Sequence, residues 1–173
     1  MVLNQRDDRH AQVIDVARRM MTAIRTAPKA KGVDIIETSL VEGDDLKALS
    51  DAMMQLYEQT GRPVYQRDAA NIMQGDAVVV VGTRQQMMGL NCGHCGFPTC
   101  GDKPAQAPCA FNSIDVGIAI GSACSVAADC RVDTRVMFSA GMGAQRLGIL
   151  PGCGLTLAIA VSATSKNPFF DRK

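Results

Sequence analysis

The sequence predicts an α+β domain in which helices cover a central sheet and a cysteine-rich loop is inserted among them. Helical and strand-like hydrophobic patterns alternate along the chain, and the run Ala77–Val81 is apolar throughout, as in a strand buried on both faces. A chain of 173 residues has the length of one domain and can bury a core without disulfides. We therefore expect a single domain over residues 1–173, with the inserted loop at residues 84–110.

Each element is predicted from its hydrophobic spacing and from the residues that end it. Apolar residues three and four positions apart predict helices, and Pro28 and Gly61 stop the first two of them. Runs rich in β-branched residues predict strands, and residues 64–73 fit neither pattern. The predicted elements are helix 7–27, strand 33–41, helix 46–56, strand 77–81, a helix capped at 112–115 and running to 129, strand 132–139, helix 141–150 and strand 155–163.

Residues 84–108 have a different character from the rest of the chain. They show no hydrophobic period and contain four glycines, three prolines and the first three of the seven cysteines. A structureless loop of this length is uncommon inside a compact domain unless something other than a hydrophobic core organises it. A bound metal centre would organise it.

Four cysteines in and after this loop have the spacing Cys-x2-Cys-x4-Cys-x8-Cys, which can hold a cuboidal 4Fe–4S cluster or a tetrahedral zinc ion. Zinc ribbons usually present two short Cys-x2-Cys knuckles, and only one is present here. Glycine follows the first three cysteines, which frees backbone amides to approach the sulfurs of a bulky anion. The pattern favours iron–sulfur over structural zinc, while a third interpretation treats the cysteines as small buried residues. The candidate ligands are Cys92, Cys95, Cys100 and Cys109.

The motif in residues 92–100 resembles the four-iron cluster motif of corrinoid iron–sulfur proteins and of electron-transport complex subunits. In those proteins the fourth cysteine usually lies further downstream than Cys109 does. Over nearly its whole length the chain is similar to the uncharacterised ferredoxin-domain-containing family of bacteria and archaea. The segments that carry this resemblance are residues 25–34, 89–100, 109–122 and 165–172.

His94 departs from that family, in which a small residue usually stands at this position. We interpret it as a solvent-facing loop residue, and two alternatives stay open. A histidine here could donate a hydrogen bond to a cluster sulfur or relay protons. It could also belong to a mixed Cys/His zinc site.

A second resemblance, to nitroreductase-type flavoproteins, concerns the rest of the chain. Residues 23–31 are similar to the end of their first helix, and residues 113–130 are similar to their central helix. The resemblance implies a nitroreductase-like fold, a homodimer, and flavin mononucleotide (FMN) at the dimer interface. The basic residues that it implies for the phosphate, each otherwise an ordinary solvated charge, are Arg25, Lys29, Lys31, Lys166 and Arg172.

The remaining chemistry-bearing residues indicate no second site. Cys124 and Cys130 are six positions apart, do not share a helix face, and are predicted to be small core residues. Cys153 is expected to be an exposed, oxidisable thiol in a turn. The methionines beside the loop, 87 and 88, are expected to shield a cluster from water. Three isolated carboxylates, Asp68, Asp115 and Glu37, have no recognisable acid–base partner, and His10 is interpreted as a surface residue.

Composition excludes several classes of function. The formal net charge is +1 and aromatic residues make up 4% of the chain, which leaves neither a basic field nor a stacking surface for nucleic acid. The N-terminal sequence lacks the apolar run of a secretory signal, and the longest apolar stretch, Leu155–Ala163, is half the length of a membrane span. We therefore expect a cytoplasmic protein with reduced thiols and no membrane partner.

The sequence predicts an iron–sulfur redox protein that binds one 4Fe–4S cluster and exchanges single electrons with a redox partner protein. With a flavin bound as well, the protein is an oxidoreductase. Two alternatives remain: a structural zinc-binding module without chemistry, and an iron–sulfur sensor or scaffold that responds to cluster loss. No phosphate loop and no nucleophile–base pair is present in the sequence, which argues against a kinase or a hydrolase.

Overall fold

The structure, a computed structural model, describes residues 2–170 and contains a four-stranded antiparallel sheet with helices on both faces. The sheet order is β1-β2-β4-β3, and each neighbouring pair is antiparallel. The predicted α+β architecture is confirmed. The elements are α1 (Gln5–Thr26), β1 (Ile36–Val41), α2 (Asp44–Thr60), α3 (Pro63–Ile72), β2 (Ala77–Arg84), α4 (Ala110–Asp129), β3 (Asp133–Met137), α5 (Phe138–Arg146) and β4 (Cys153–Ser162).

Two hydrophobic cores lie on opposite faces of the sheet. α1 and α4 cover the face that carries Val79 and Val81, and α2, α3 and α5 cover the face that carries Val78 and Val80. These four valines are all 0% exposed. Successive side chains of a strand point to opposite faces, so a strand covered on both sides needs an uninterrupted apolar run. The prediction that residues 77–81 are buried on both faces is confirmed.

The start of α4 differs from its predicted start. Cys109 is the N-cap residue, and Asn112 lies in the first turn, where it is 2% exposed. The Asn112 Oδ1 atom accepts the Gln86 backbone N–H at 3.1 Å, and its Nδ2 donates to the Gln86 carbonyl at 2.9 Å. The prediction that residues 112–115 cap the helix is therefore wrong, because the Asn112 side chain fastens the segment that leaves β2.

The boundary between β3 and α5 also lies earlier than expected. The strand ends at Met137 and the helix begins at Phe138, whereas the prediction continued the strand to residue 139.

Gly141 allows α5 to pack closely on β4, because a Cβ atom there would lie 2.1 Å from the Thr156 carbonyl oxygen. Asp68 of α3, predicted to have no partner, is buried and accepts a hydrogen bond from the Ser139 hydroxyl.

His10 is more than a surface residue. Its Nδ1 atom lies 3.2 Å from Asp76 Oδ1, and Arg9 Nη1 donates to Asp76 Oδ2 at 2.7 Å. The Asp76 side chain is only 5% exposed. Burial by itself would raise the pKa of Asp76, but hydrogen bonds from Arg9, His10 and the Ala163 backbone hold that pKa below its ordinary value. The cluster of charges ties the first half of α1 to the sheet.

α4 is the helix within the described range whose length and composition alone would suit a membrane span. Its most apolar window has a mean hydropathy of 1.3, and 39% of that window is buried. Val116, Ala119 and Ala123 lie in the core that α4 shares with α1 and the sheet. This packing is that of a core helix in a globular α/β fold, and its outward face carries Ile114 and Ile118, each 41% exposed.

Candidate metal centre

The four cysteines that were predicted as ligands line one pocket. Three of them lie in the segment between β2 and α4, which contains no helix or strand. The fourth, Cys109, is the residue from which α4 starts. The pocket is nearly closed, because its volume open to a water-sized sphere is about 10 Å³. Sequence spacing and folding thus bring all four thiols to one place.

The rest of the pocket wall is largely apolar. Met88 is 4% exposed and packs with Cys109 and Ile35 in a small apolar core, whereas Met87 is 52% exposed at the rim. Among the residues that line the pocket, Lys103 is the one charged side chain, and no carboxylate is present. The other large apolar side chains of the wall are Leu90, Phe97 and Phe111.

The four thiols differ in their access to solvent. Cys92 is exposed, Cys95 and Cys100 are half-buried, and Cys109 is buried, with 8% of its surface exposed. The wall of the pocket therefore runs from the protein surface to the base of α4.

Asn91 and Cys100 are joined by two hydrogen bonds across the cysteine loop. The Asn91 backbone N–H donates to Cys100 Sγ at 3.3 Å, and the Cys100 backbone N–H donates to Asn91 Oδ1 at 2.8 Å. Asn91 has a φ of 48°, in the left-handed region where asparagine is one of the few tolerated residues. Asn91 thus fixes both the backbone and the sulfur of Cys100.

Two glycines turn the loop between the first three cysteines. Gly93 has a φ of 72° and Gly96 a φ of 88°, and no atom lies within 4 Å of an ideal Cβ at either position. Glycine is thus favoured here by the backbone conformation and not by lack of space.

Lys103 fastens the part of the loop that leads to Cys109. Its Nζ atom donates to the Pro104 carbonyl at 3.3 Å and to the Ala107 carbonyl. These bonds fix an ammonium group in the wall of a pocket that four thiols share. Lys103 therefore places a positive charge in the wall of the cysteine pocket.

The four thiols of the cysteine pocket are a donor set that serves either a 4Fe–4S cluster or a zinc ion. Within residues 2–170, no three His, Cys, Asp or Glu side chains are gathered closely enough to hold one metal ion. The four thiols nevertheless surround a common space. A tetrahedral zinc ion draws its ligands to one point, whereas a 4Fe–4S cluster binds four separated sulfurs around a cuboidal body.

His94 does not line the pocket. It is exposed, and its ring centroid lies 5.9 Å from that of Phe111. This position agrees with the interpretation of His94 as a solvent-facing loop residue.

The other cysteines lie apart from the pocket. Cys124 and Cys130 are half-buried at the edge of the core between α1 and α4, and burial raises the pKa of Cys124. Cys153 begins β4 and is half-buried, so the expectation of an exposed turn thiol is wrong. The Cys153 side chain lies against Gly82, where an added Cβ would be 2.9 Å from the Cys153 Cβ. Burial, followed by the nearby Glu37 carboxylate, raises the pKa of Cys153.

Arg25 and Lys29, two of the basic residues implied for an FMN phosphate, are engaged at the end of α1. Arg25 Nη1 donates to Asp34 Oδ2 at 2.7 Å and to the Ile36 carbonyl at 2.8 Å. The Lys29 side chain is 5% exposed, and its Nζ donates to the last carbonyls of α1, those of Ile24 and Arg25. Burial is the main cause that lowers the pKa of Lys29.

The other three basic residues lie elsewhere. Lys31 Nζ donates to the Met88 carbonyl at 3.3 Å, beside the cysteine pocket. Lys166 is exposed in the segment after β4, and Arg172 lies outside the described residues.

The turn at residues 30–32 is docked against α4. The Ala30 backbone N–H lies 3.2 Å and 3.1 Å from the two carboxylate oxygens of Asp115, which is 1% exposed. Ala30 and Val33 also pack against the small apolar core that contains Met88 and Cys109. The connection between α1 and β1 therefore packs beside the cysteine loop. Asp115 holds this connection through the Ala30 N–H, so it is not a carboxylate without a partner.

Comparison with known proteins identifies the family. Residues 105–172 match a family model described as "Uncharacterized protein containing a ferredoxin domain (DUF2148)". An uncharacterized protein from Archaeoglobus fulgidus is 35% identical over 182 residues, which cover 99% of this chain and 98% of that protein. The chain belongs to this ferredoxin-domain family. The resemblance to the family that the sequence indicated is confirmed.

Solved structures of nitroreductases share the fold. Nitroreductase CinD from Lactococcus lactis, in complex with nicotinic acid, has a TM-score of 0.63 at 11% identity, covering 99% of this chain and 84% of that chain. A nitroreductase with bound FMN from Desulfitobacterium hafniense has a TM-score of 0.60 at 11% identity, with coverages of 88% and 78%. The expected nitroreductase-like fold is confirmed.

Reasoning from the sequence did not single out Asn91, Lys103 or the anchoring role of Asp115. Lys103 carried a usable signal, because it is the one basic residue between Arg84 and Cys109. Asn91 stands directly before the first cysteine, but only the folded loop shows that it meets Cys100 nine positions later.

Proposed function

We propose that the protein binds one 4Fe–4S cluster through Cys92, Cys95, Cys100 and Cys109 and uses it to transfer single electrons. The observation that carries this proposal is the presence of all four thiols around one largely apolar pocket. Membership of a ferredoxin-domain family supports a redox role. A bound cluster supplies a one-electron couple, and the chain supplies its ligands and surroundings.

Each part of the pocket has a distinct task in this proposal. Met88 and Phe111 exclude water from the inner side, while the Asn91 N–H and the Lys103 ammonium offset negative charge on the sulfurs. Cys109 stands at the N-terminus of α4, so one of the proposed ligands is attached directly to a core helix.

Anaerobic purification followed by iron, zinc and acid-labile sulfide analysis tests the proposal. We expect about four irons and four sulfides per chain and a brown protein. Single Cys→Ser changes at the four ligands should lower the iron content, whereas Cys124→Ser, Cys130→Ser and Cys153→Ser serve as matched controls that should retain it. One zinc per chain without iron or sulfide would contradict the proposal and favour the structural zinc module.

A bound FMN is a second proposal, which would make the protein a flavin- and iron–sulfur-dependent oxidoreductase. Its support is the shared fold with a nitroreductase that binds FMN, and the position of Lys31 beside the cysteine pocket. The candidate phosphate residues remain Arg25, Lys29, Lys31, Lys166 and Arg172. Protein-bound FMN should be released on denaturation, and Lys31→Gln should weaken its binding. A protein that neither retains nor binds added FMN would contradict this second proposal.

We further propose that the protein is a homodimer whose interface is the outward face of α4. Ile114 and Ile118 protrude on this face, whereas Gly117 and Gly121 have no atom within 4 Å of an ideal Cβ. Projections and recesses on one face can interdigitate with those of a second copy across a two-fold axis. Light scattering should give the dimer mass, and Ile118→Glu should give the monomer. Met73→Glu, at the exposed residue that follows α3, should leave the dimer unchanged. A monomeric native protein would contradict this arrangement.

A reducing cytoplasm is the compartment that we propose for this chemistry. All seven cysteines are free thiols, so none is committed to a structural disulfide. When thiols are alkylated in intact cells, the seven cysteines should be found alkylated and not in disulfides. A redox partner protein should be isolated together with the chain when purification is anaerobic.

A further inference from the structure

A second cavity opens beside the cysteine pocket. We call it the outer groove; it has about 690 Å³ of empty space, including space open to solvent. It shares four residues with the cysteine pocket, namely Met87, Cys100, Lys103 and Cys109. A molecule in the outer groove would therefore lie against two of the four candidate ligands.

The walls of the outer groove suit a particular kind of molecule. Lys103 is its one charged side chain, and no carboxylate lines it. Gln85 and Gln86 add side-chain amides, which donate hydrogen bonds to oxygen or nitrogen acceptors. The wall is held in place because Asn112 bonds both the N–H and the carbonyl of Gln86.

Lys103 lies in the wall that the two spaces share. Its ammonium group is fixed by the carbonyls of Pro104 and Ala107. Four thiolates with a cluster carry net negative charge and repel an approaching anion, and a fixed cation between them and the groove offsets that repulsion.

We propose that the outer groove is the docking site for a small anionic one-electron acceptor, with Lys103 as its counter-charge. This inference rests on the proposed function, because the electron comes from the cluster. In the step itself no bond forms or breaks: the reduced cluster loses one electron and the bound acceptor gains it. Hexacyanoferrate(III), which becomes hexacyanoferrate(II), is a probe with the required charge.

Binding is tested first without electron transfer. Hexacyanocobaltate(III) has the same shape and charge as the probe and is redox-inert, so calorimetry with the full chain measures docking alone. Lys103→Gln should weaken binding by about threefold to tenfold at low salt. Ala105→Trp, which fills a groove position outside the cysteine pocket, should abolish it.

Matched controls come from α2, where Lys47 and Ala48 are exposed. Lys47→Gln makes the same change in net charge and Ala48→Trp adds the same bulk, and both should bind like the native protein. Equal losses in Lys103→Gln and Lys47→Gln, or no binding by the native chain, would overturn the inference.

Electron transfer is tested by reoxidising the dithionite-reduced protein with hexacyanoferrate(III) or with the cation hexaammineruthenium(III). The ratio of the two rates cancels any change that the variant makes in the cluster potential. In Lys103→Gln this ratio should fall by about threefold or more at low salt. An unchanged ratio would overturn the inference while iron and sulfide analysis still upholds the cluster; absence of a cluster would instead overturn the proposed function.

Discussion

Asn91 and Cys100 close the segment that carries the first three cysteines by reciprocal hydrogen bonds, one of which ends on a sulfur. The Asn91 N–H reaches Cys100 Sγ at 3.3 Å, and the Asn91 side chain returns a bond to the Cys100 N–H at 2.8 Å. The same asparagine also adopts a left-handed backbone conformation, with a φ of 48°. One residue therefore orders the backbone and orients the Cys100 thiol.

Replacing Asn91 should separate these two contributions. Asn91→Gly removes the acceptor of the Cys100 N–H but keeps the left-handed φ without strain. Asn91→Ala removes the same acceptor and adds about 1 kcal/mol of backbone strain. The rate at which a chelator removes iron should increase from the native protein to Asn91→Gly and again to Asn91→Ala. Equal rates in all three proteins would contradict a role of this residue in ordering the loop.

Removing the Asp115 carboxylate should loosen the turn at residues 30–32. Asp115→Ala leaves the Ala30 N–H without its partner, and the expected loss in the free energy of unfolding is about 1–3 kcal/mol. Asp115→Asn keeps one acceptor oxygen and should recover part of that loss. Urea unfolding measures both, and equal stability of Asp115→Ala and the native chain would contradict the anchoring role.

Asp76 should contribute a pH-dependent part of the stability. Its pKa in the folded protein lies below the ordinary value of 3.8, so its contribution is complete above that value and is lost as the pH falls through the lower, folded pKa. Asp76→Asn should cost about 2–4 kcal/mol at neutral pH, because Arg9 and His10 lose a buried partner, and the difference from the native protein should shrink in acid.

A surface ion pair provides the control for that experiment. Asp51 pairs with Lys47 on α2, and its side chain is 54% exposed. Asp51→Asn should change stability by less than about 0.5 kcal/mol at any pH. If thermal unfolding showed the same pH profile for both variants, the buried cluster around Asp76 would not be its source.

Gly141 and Gly143 should respond differently to the same substitution on the same helix. At Gly141 an added Cβ would meet the Thr156 backbone at 2.1 Å, whereas at Gly143 its nearest atom is in the flexible Met53 side chain, at 2.8 Å. Gly141→Ala should cost about 3 kcal/mol and Gly143→Ala about 1 kcal/mol, because backbone yields less than a side chain. Chemical denaturation would contradict this explanation if it ranked them in the reverse order.

Local patterns were sufficient for most of the fold. The uninterrupted apolar run of β2 and the left-handed Gly61 after α2 leave few alternatives, and both were predicted. α3 was ambiguous because it is a short helix of 10 residues, too short for a clear period. The capping prediction at Asn112 was wrong because this capping residue type makes a tertiary contact with Gln86, which depends on a partner distant in the sequence.

The candidate site was predictable as far as its ligands. Spacing singled out four cysteines as candidate ligands, and the structure places all four around one pocket. Spacing could not show which residues surround them. The contacts of Asn91, Lys31 and Asp115 join segments that meet only after α1 and α4 have packed together.

The unequal burial of the four thiols gives any group bound among them an inner and an outer corner. Cys92 is open to solvent and Cys109 is buried at the foot of a core helix. A group held there would be shielded by the protein on the side of Cys109 and open to water on the side of Cys92. A dissolved oxidant would therefore meet it first on the side of Cys92.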